Sequence, residues 1–298
     1  MNTKIISRSA QIEIHLKRII VQDPSLSDYK IISKPRQYFH HIHLNRIENI
    51  IAHRKELWTS GTINDIELGH YFVYFDKYFG LDVLRQGIRD PRIFDWLDTE
   101  VKIGWCRGLK IPVYIQANGK HILFADNHNL ALPFILEMID LGIIPMSASL
   151  AHIDDHNDLF TNRSFDLKAY KKLETLQRVK YVYQNSEVDD WQSLLFNSGH
   201  LNVEAWRHFK GFRSIAMVDN LSTSYIERFD ISDIDLDVLA NTIFHVSQQE
   251  RPQVIEHMIQ QILDIASLSK VIIIVTSPGF IPQAEALYCG KKILKGLI

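Results

Sequence analysis

The chain has 298 residues, 46% of them hydrophobic, and a formal net charge of −2. That length allows one large domain or two ordinary ones, and the lack of a dense basic block argues against nucleic acid as the main partner. Cys106 and Cys289 are far apart and belong to no C-x-x-C pair, so neither a disulfide framework nor a thiolate metal site is indicated, and a reducing cytoplasm fits. The segment Met1 to Gln11 is polar and shows no secretory signal, and no apolar run approaches the ~18 residues of a membrane span.

The chain up to about Lys110 reads as a mainly helical N-terminal elaboration. Gln37 to Trp58 carries Phe39, Ile42, Leu44, Ile47, Ile50 and Ile51 at helical spacing, with His40, His41 and His43 as decoration; Ile66 to Phe79 and Asp95 to Val101 are further helical segments. From Ile111 to residue 298 the pattern of strands and helices becomes clearer. Ile111–Ile115 and His121–Phe124 flank Asn118-Gly119, a hairpin signal because both turn residues tolerate positive φ. Asn129 to Leu141 predicts a helix ended by Gly142, and Ser147 to Ile153 a strand. Leu167 to Tyr183 predicts a helix, Ser214 to Val218 a short buried strand, and Ile231 to Leu236 another strand. Val238 to Leu268 is helical with a break before Pro252. Val271–Val275 is β-branched and apolar on both faces, as in a central strand of a parallel sheet. A loop at Thr276–Gly279 leads to a closing helix, Glu285 to Leu297. Strand and helix alternate, so the fold class is α/β with a mostly parallel sheet flanked by helices.

Three strand ends carry His or Asp. Asp154, His156 and Asp158 have i, i+2, i+4 spacing, which in an extended segment aims all three at one side. The bland alternative is a polar turn that caps the next helix. Asp233, Asp235 and Asp237 repeat the spacing, with Ile234 and Leu236 facing the other way; three carboxylates on one face repel one another unless cations intervene. The competing reading is a solvated edge strand. Asp235 and Asp237, nearer the strand end, are the favoured ligands, and Asp233 lies deeper as a hydrogen-bonding group. His128 follows a strand and precedes a helix, and Asp126 is placed to orient it from behind. Open α/β sheets gather ligands at the carboxyl ends of their strands. Imidazole and carboxylate donors without thiolate suit a divalent ion such as Mn²⁺.

These residues carry a resemblance. Asp154-Asp155-His156-Asn157-Asp158 resembles the D-A-H-x-D motif of the arginase/agmatinase ureohydrolases, with Asp155 in place of alanine. Asp235-Leu236-Asp237 resembles their S-F-D-x-D strand end, with Asp233 at the usual serine, and His128 falls where the His of G-G-D-H would. The double glycine is absent, and Val238-Leu239-Ala240-Asn241 replaces G-L-D-P. With the late Thr276-Ser277-Pro278-Gly279-Phe280, the set is similar to a ureohydrolase-like family that includes peptide arginases, which convert arginine side chains of ribosomally made peptides to ornithine. The likeness covers roughly residues 111 to 298 and leaves the first 110 unexplained.

The resemblance implies an arginase-like three-layer fold and two Mn²⁺ per chain that activate water for attack on a guanidinium carbon. It implies His128, Asp154, Asp158 and Asp235 on one ion, and His156, Asp154, Asp235 and Asp237 on the other. Glu285 and Asp155 are candidates for holding the substrate cation, and His200 in Asn197-Ser198-Gly199-His200 is the candidate proton carrier. The implied partner is an arginine-containing peptide, such as a natural-product precursor, contacted by side chains such as Tyr71, Tyr74, Asp76 and Tyr78; no membrane is expected, and an oligomer is compatible. Competing classes are an arginase-like or agmatinase-like hydrolase of small guanidino compounds, another metal-dependent amidohydrolase or phosphoesterase, and a non-catalytic metal-binding module.

Overall fold

The computed structural model describes residues 59–76, 94–95, 101–109, 112–126, 128–159, 165–173, 177–178, 181, 185, 190–210, 228–277 and 281–298. Its centre is a sheet built from β1 (Thr59–Ser60), β5 (Val113–Ala117), β6 (Lys120–Ala125), β7 (Ala148–Ile153), β8 (Leu201–Phe209), β9 (Ile231–Asp235) and β10 (Val271–Val275). The spatial order is β1-β5-β6-β10-β9-β7-β8. Neighbours run parallel except β5 and β6, which form the antiparallel hairpin expected from Asn118-Gly119. Both turn residues have positive φ, 49° and 73°.

The sheet is filled on both faces, and the sequence of β10 shows why. Val271, Ile273 and Val275 join one apolar cluster, while Ile272 and Ile274 join the other. Leu123 and Ala125 of β6 divide from Ile122 and Phe124 in the same way. On the first face pack α1 (Ala131–Asp140) and α3 (Trp191–Asn197). On the second pack α5 (Arg251–Ala266) and α6 (Gln283–Leu297). Two shorter helices are α2 (Leu167–Lys171) and α4 (Ala240–His245). The break foreseen before Pro252 is real: α4 stops at His245, and Pro252 sits in the first turn of α5, where a missing N–H costs no helical bond.

Where the described residues fall within the helices expected over 66–79 and 95–101, those at 68–76, 95 and 101 lie in strands instead. β2 (Leu68–Asp76), β3 (Phe94–Asp95) and β4 (Val101–Leu109) form a separate antiparallel sheet in the order β2-β4-β3. Leu68 through Asp76 is rich in aromatics, which favour a pleated surface, and it pairs with β4 over nine residues. The main core also reaches back before residue 111. β1 pairs with β5, and Ile66 and Leu109 pack in the same cluster as Val113. Gln37 to Trp58, Ser214 to Val218 and Tyr78 lie outside the described residues, as do the side chains of Tyr71, Tyr74 and Asp76. No helix among the described residues is long and apolar enough to cross a membrane.

Candidate metal centre

Four adjacent strands, β6, β10, β9 and β7, end side by side, and the chain leaving each of them contributes to one buried polar cluster. His128 opens a 3₁₀ turn two residues beyond the described end of β6 and its bend at Asp126. Asp154, His156 and Asp158 follow β7, Asp235 ends β9, and Asp237 lies in the 3₁₀ turn after it. Ser277 follows β10 and donates its hydroxyl to Asp235 Oδ2. Ser277 and Asp158 both hold left-handed φ, 41° and 47°, a conformation that costs about 1–3 kcal/mol in non-glycine residues and recurs at functional sites.

All six residues expected as ligands converge. His128 Nδ1 lies 2.7 Å from Asp158 Oδ2, 3.3 Å from Asp235 Oδ2 and 3.4 Å from Asp154 Oδ2. His156 Nδ1 lies 2.8 Å from Asp237 Oδ2 and 3.4 Å from Asp154 Oδ1. Asp154 therefore turns one oxygen to each histidine. Its Oδ2 is buried and has no hydrogen-bond partner among the described residues. A lone buried carboxylate oxygen is expensive unless a proton or cation occupies it. Two overlapping sets of side chains could hold a metal ion: His128, His152 and Asp154, and Asp154, His156 and Asp237. Hard carboxylate oxygens with imidazole nitrogens fit a divalent cation such as Mn²⁺, so the donor set and the orphaned oxygen agree.

The electrostatics carry the same imprint. Burial, then the nearby Asp237 and Asp235, pushes Asp154 well above the usual carboxylate range. Burial, then Asp235, raises Asp237 to about 6. Burial alone would lower His128, yet Asp233 and Asp158 hold it well above its ordinary value. The bonds to Asp154 and Asp237 lift His156 to about 11, although its side chain is 55% exposed. Without a cation, protons hold these carboxylates and imidazoles together.

Behind the ligands, Asp233 lies deeper, as its place in the strand suggests. Both its oxygens are 2.8 Å from His128 Nε2. It is Asp233, rather than Asp126, that orients His128. Asp126 instead accepts the Leu109 N–H at 2.9 and 2.8 Å and the Thr276 hydroxyl, tying the end of β4 to the rim. Trp191, fully buried at the start of α3, donates its indole N–H to Asp158 Oδ2 at 2.9 Å and lies against the His128 ring.

His200 is not part of this cluster. Its carbonyl accepts from Ala148 at the start of β7, whereas the cluster follows Ile153 at the other end. Five strand residues separate the two by roughly 17 Å, beyond the reach of a proton carrier. His200 is buried between the Ser198 hydroxyl at 2.6 Å and the Lys171 ammonium at 3.0 Å. Asp155 does stand beside the cluster: its N–H points at Asp237 Oδ1 at 3.4 Å, and its charge helps to raise Asp237. Glu285 occupies the first turn of α6, half-exposed, after the loop that leaves β10.

His152 was not foreseen as a site residue. It lies inside β7, fully buried, with Nδ1 2.7 Å from Asp233 Oδ2. The signal for it was strand alternation, which puts His152 on the same face as Asp154.

Comparison with protein-family models finds no family that matches the chain, and comparison with curated proteins finds no match either.

Proposed function

We propose that the protein is a binuclear manganese-dependent ureohydrolase with an arginase-like fold, and that it hydrolyses the guanidinium group of arginine side chains within a peptide. Water and the side chain would give ornithine and urea. The observation that carries this reading is Asp154, whose two oxygens face His128 and His156 separately within one ring of buried carboxylates. His128, Asp154, Asp158 and Asp235 would hold one ion, and His156, Asp154, Asp235 and Asp237 the other. When bound, such ions supply an acidified water and stabilise developing negative charge. A guanidinium is a delocalised cation, so the substrate also needs a carboxylate to orient it. Asp155, beside Asp237, and Glu285, after β10, are the side chains assigned that task.

The test uses Mn²⁺-loaded protein with arginine-containing peptides, free arginine and agmatine. Expected are urea release and a loss of about 42 Da per modified arginine, the mass change of guanidine-to-amine hydrolysis by an activated water. A peptide should give a higher kcat/KM than free arginine, because remote contacts orient the reacting group. Preference for free arginine or agmatine would return the protein to small-molecule ureohydrolysis. No urea from any substrate would refute the reading.

A further inference from the structure

His152 uses each ring nitrogen on a different half of the cluster. Nδ1 faces Asp233 Oδ2 at 2.7 Å, and Asp233 in turn grips His128 Nε2 at 2.8 Å. Nε2 faces the backbone carbonyl of His156 at 3.1 Å. Through one ring, the carboxylate behind His128 is connected to the backbone that presents His156. The ring is fully buried, and Trp191 lies edge-on to it at 6.1 Å, so it has little room to turn.

We infer that His152 is a positioning residue that couples the two halves of the centre, holding His128 and His156 in register with the shared Asp154. The inference rests on the metal-centre part of the proposed function. Two plainer roles compete with it. A ligand role would need a ring nitrogen turned to the expected ligand carboxylates, as His128 Nδ1 is at 2.7 Å from Asp158; the His152 nitrogens instead meet Asp233 and the His156 carbonyl, and the approach of Nε2 to Asp154 Oδ2 is longer, 3.5 Å. A mere core histidine would find any two acceptors. Here one acceptor belongs to the group that orients one expected ligand, and the other belongs to a second expected ligand itself. Strand pairing enforces the arrangement: β7 and β9 run parallel with His152 directly opposite Asp233.

Two amide substitutions divide the ring's functions. His152→Asn keeps an N–H near the position of Nδ1, within reach of Asp233, and gives up the His156 carbonyl. His152→Gln places its N–H near the position of Nε2, keeps the carbonyl and gives up Asp233. His152→Phe gives up both. Metal-stripped wild type and variants are titrated with Mn²⁺ by calorimetry, with circular dichroism melts to confirm folding. The Asn and Gln variants should each weaken a different binding step, and any variant that folds without both contacts should weaken both steps. Losses of about 10–100-fold are expected, as for groups that orient ligands. Two equivalents should still bind at saturating metal. Wild-type affinity in both the Asn and Gln variants would overturn the inference. So would outright loss of one equivalent in either, which would make His152 a ligand. Absence of Mn²⁺ binding by the wild type would instead overturn the proposed function itself, which keeps the two failures distinct.

Discussion

Two glycines on α6 provide a matched test of how the sheet is held. A Cβ added at Gly290 would stand 2.6 and 2.8 Å from Phe124 ring carbons and 3.1 Å from Leu236 Cδ1. A Cβ added at Gly296 would stand at the same 2.6 and 2.8 Å, but from the terminal methyls of Leu263. Carbon atoms pack comfortably at about 3.5–4.0 Å, so each neighbour must yield by roughly 1 Å. Phe124 is a rigid ring with no exposed surface, and Leu236 separates Asp235 from Asp237. Leu263 is a flexible, partly exposed side chain that can change rotamer. Overpacking at a rigid site costs about 1–3 kcal/mol, whereas replacing glycine by alanine within a helix returns about 0.8–1.0 kcal/mol. Gly290→Ala should therefore lose up to about 2 kcal/mol net, and Gly296→Ala should be neutral or gain up to about 1 kcal/mol. In thermal melts followed by circular dichroism, that corresponds to a drop of up to several degrees for the first and none for the second, at roughly 2–4 °C per kcal/mol. A Gly290→Ala Tm at or above that of wild type, or equal drops for both, would refute the argument that the neighbour's rigidity decides the sign.

Asp235→Asn removes a carboxylate charge 3.3 Å from His128 Nδ1 and should lower Mn²⁺ affinity by more than about 100-fold, beyond the range for orienting groups, while leaving the circular dichroism spectrum intact. In the metal-free protein, buried Asp154 and Asp237 keep protons that the unfolded chain releases above 3.8, so stability falls as pH rises through about 6. Bound Mn²⁺ replaces those protons, so its Tm gain should be larger at about pH 8 than at about pH 5; an equal gain at both would contradict this. Burial, then Lys171, holds His200 below its ordinary 6.5, so the folded chain refuses a proton that the unfolded chain accepts, and this contribution is lost as pH falls below about 6.5. His200→Gln should flatten the decline of Tm over that range and leave kcat/KM unchanged; a lost turnover would restore His200 to the reaction.

What the sequence discloses depends on how locally each feature is determined. The β5–β6 hairpin was legible because two adjacent residues, Asn118 and Gly119, dictate it. The cluster was legible because Asp154, His156 and Asp158 crowd into one short segment after a strand, but strand alternation is not what gathers them: β7 ends at Ile153, and a bend with Asp158 at a φ of 47° brings Asp158 to His128 and His156 to Asp237. His152 was obscured for the opposite reason. A histidine inside an apolar strand gains its meaning from Asp233, 81 residues away. His200 sits after a helix and before a strand, but its sequence does not say which end of the sheet that junction occupies. Aromatic-rich residues 68–76 satisfy helical and strand periods about equally, and only pairing with β4 decides between them.

The position of β10 has a consequence for when the centre can exist. This strand is the last of the sheet to be synthesised, yet it lies between β6, which leads to His128, and β9, which carries Asp233 and Asp235. Until residues 271–275 slot in, the two halves of the rim have no backbone connection across the sheet. A nascent chain that has emerged only as far as the turn after β9, through Asp237, therefore carries every expected ligand without the frame that assembles them. Any metal that the cluster holds would therefore meet a finished site rather than a growing one.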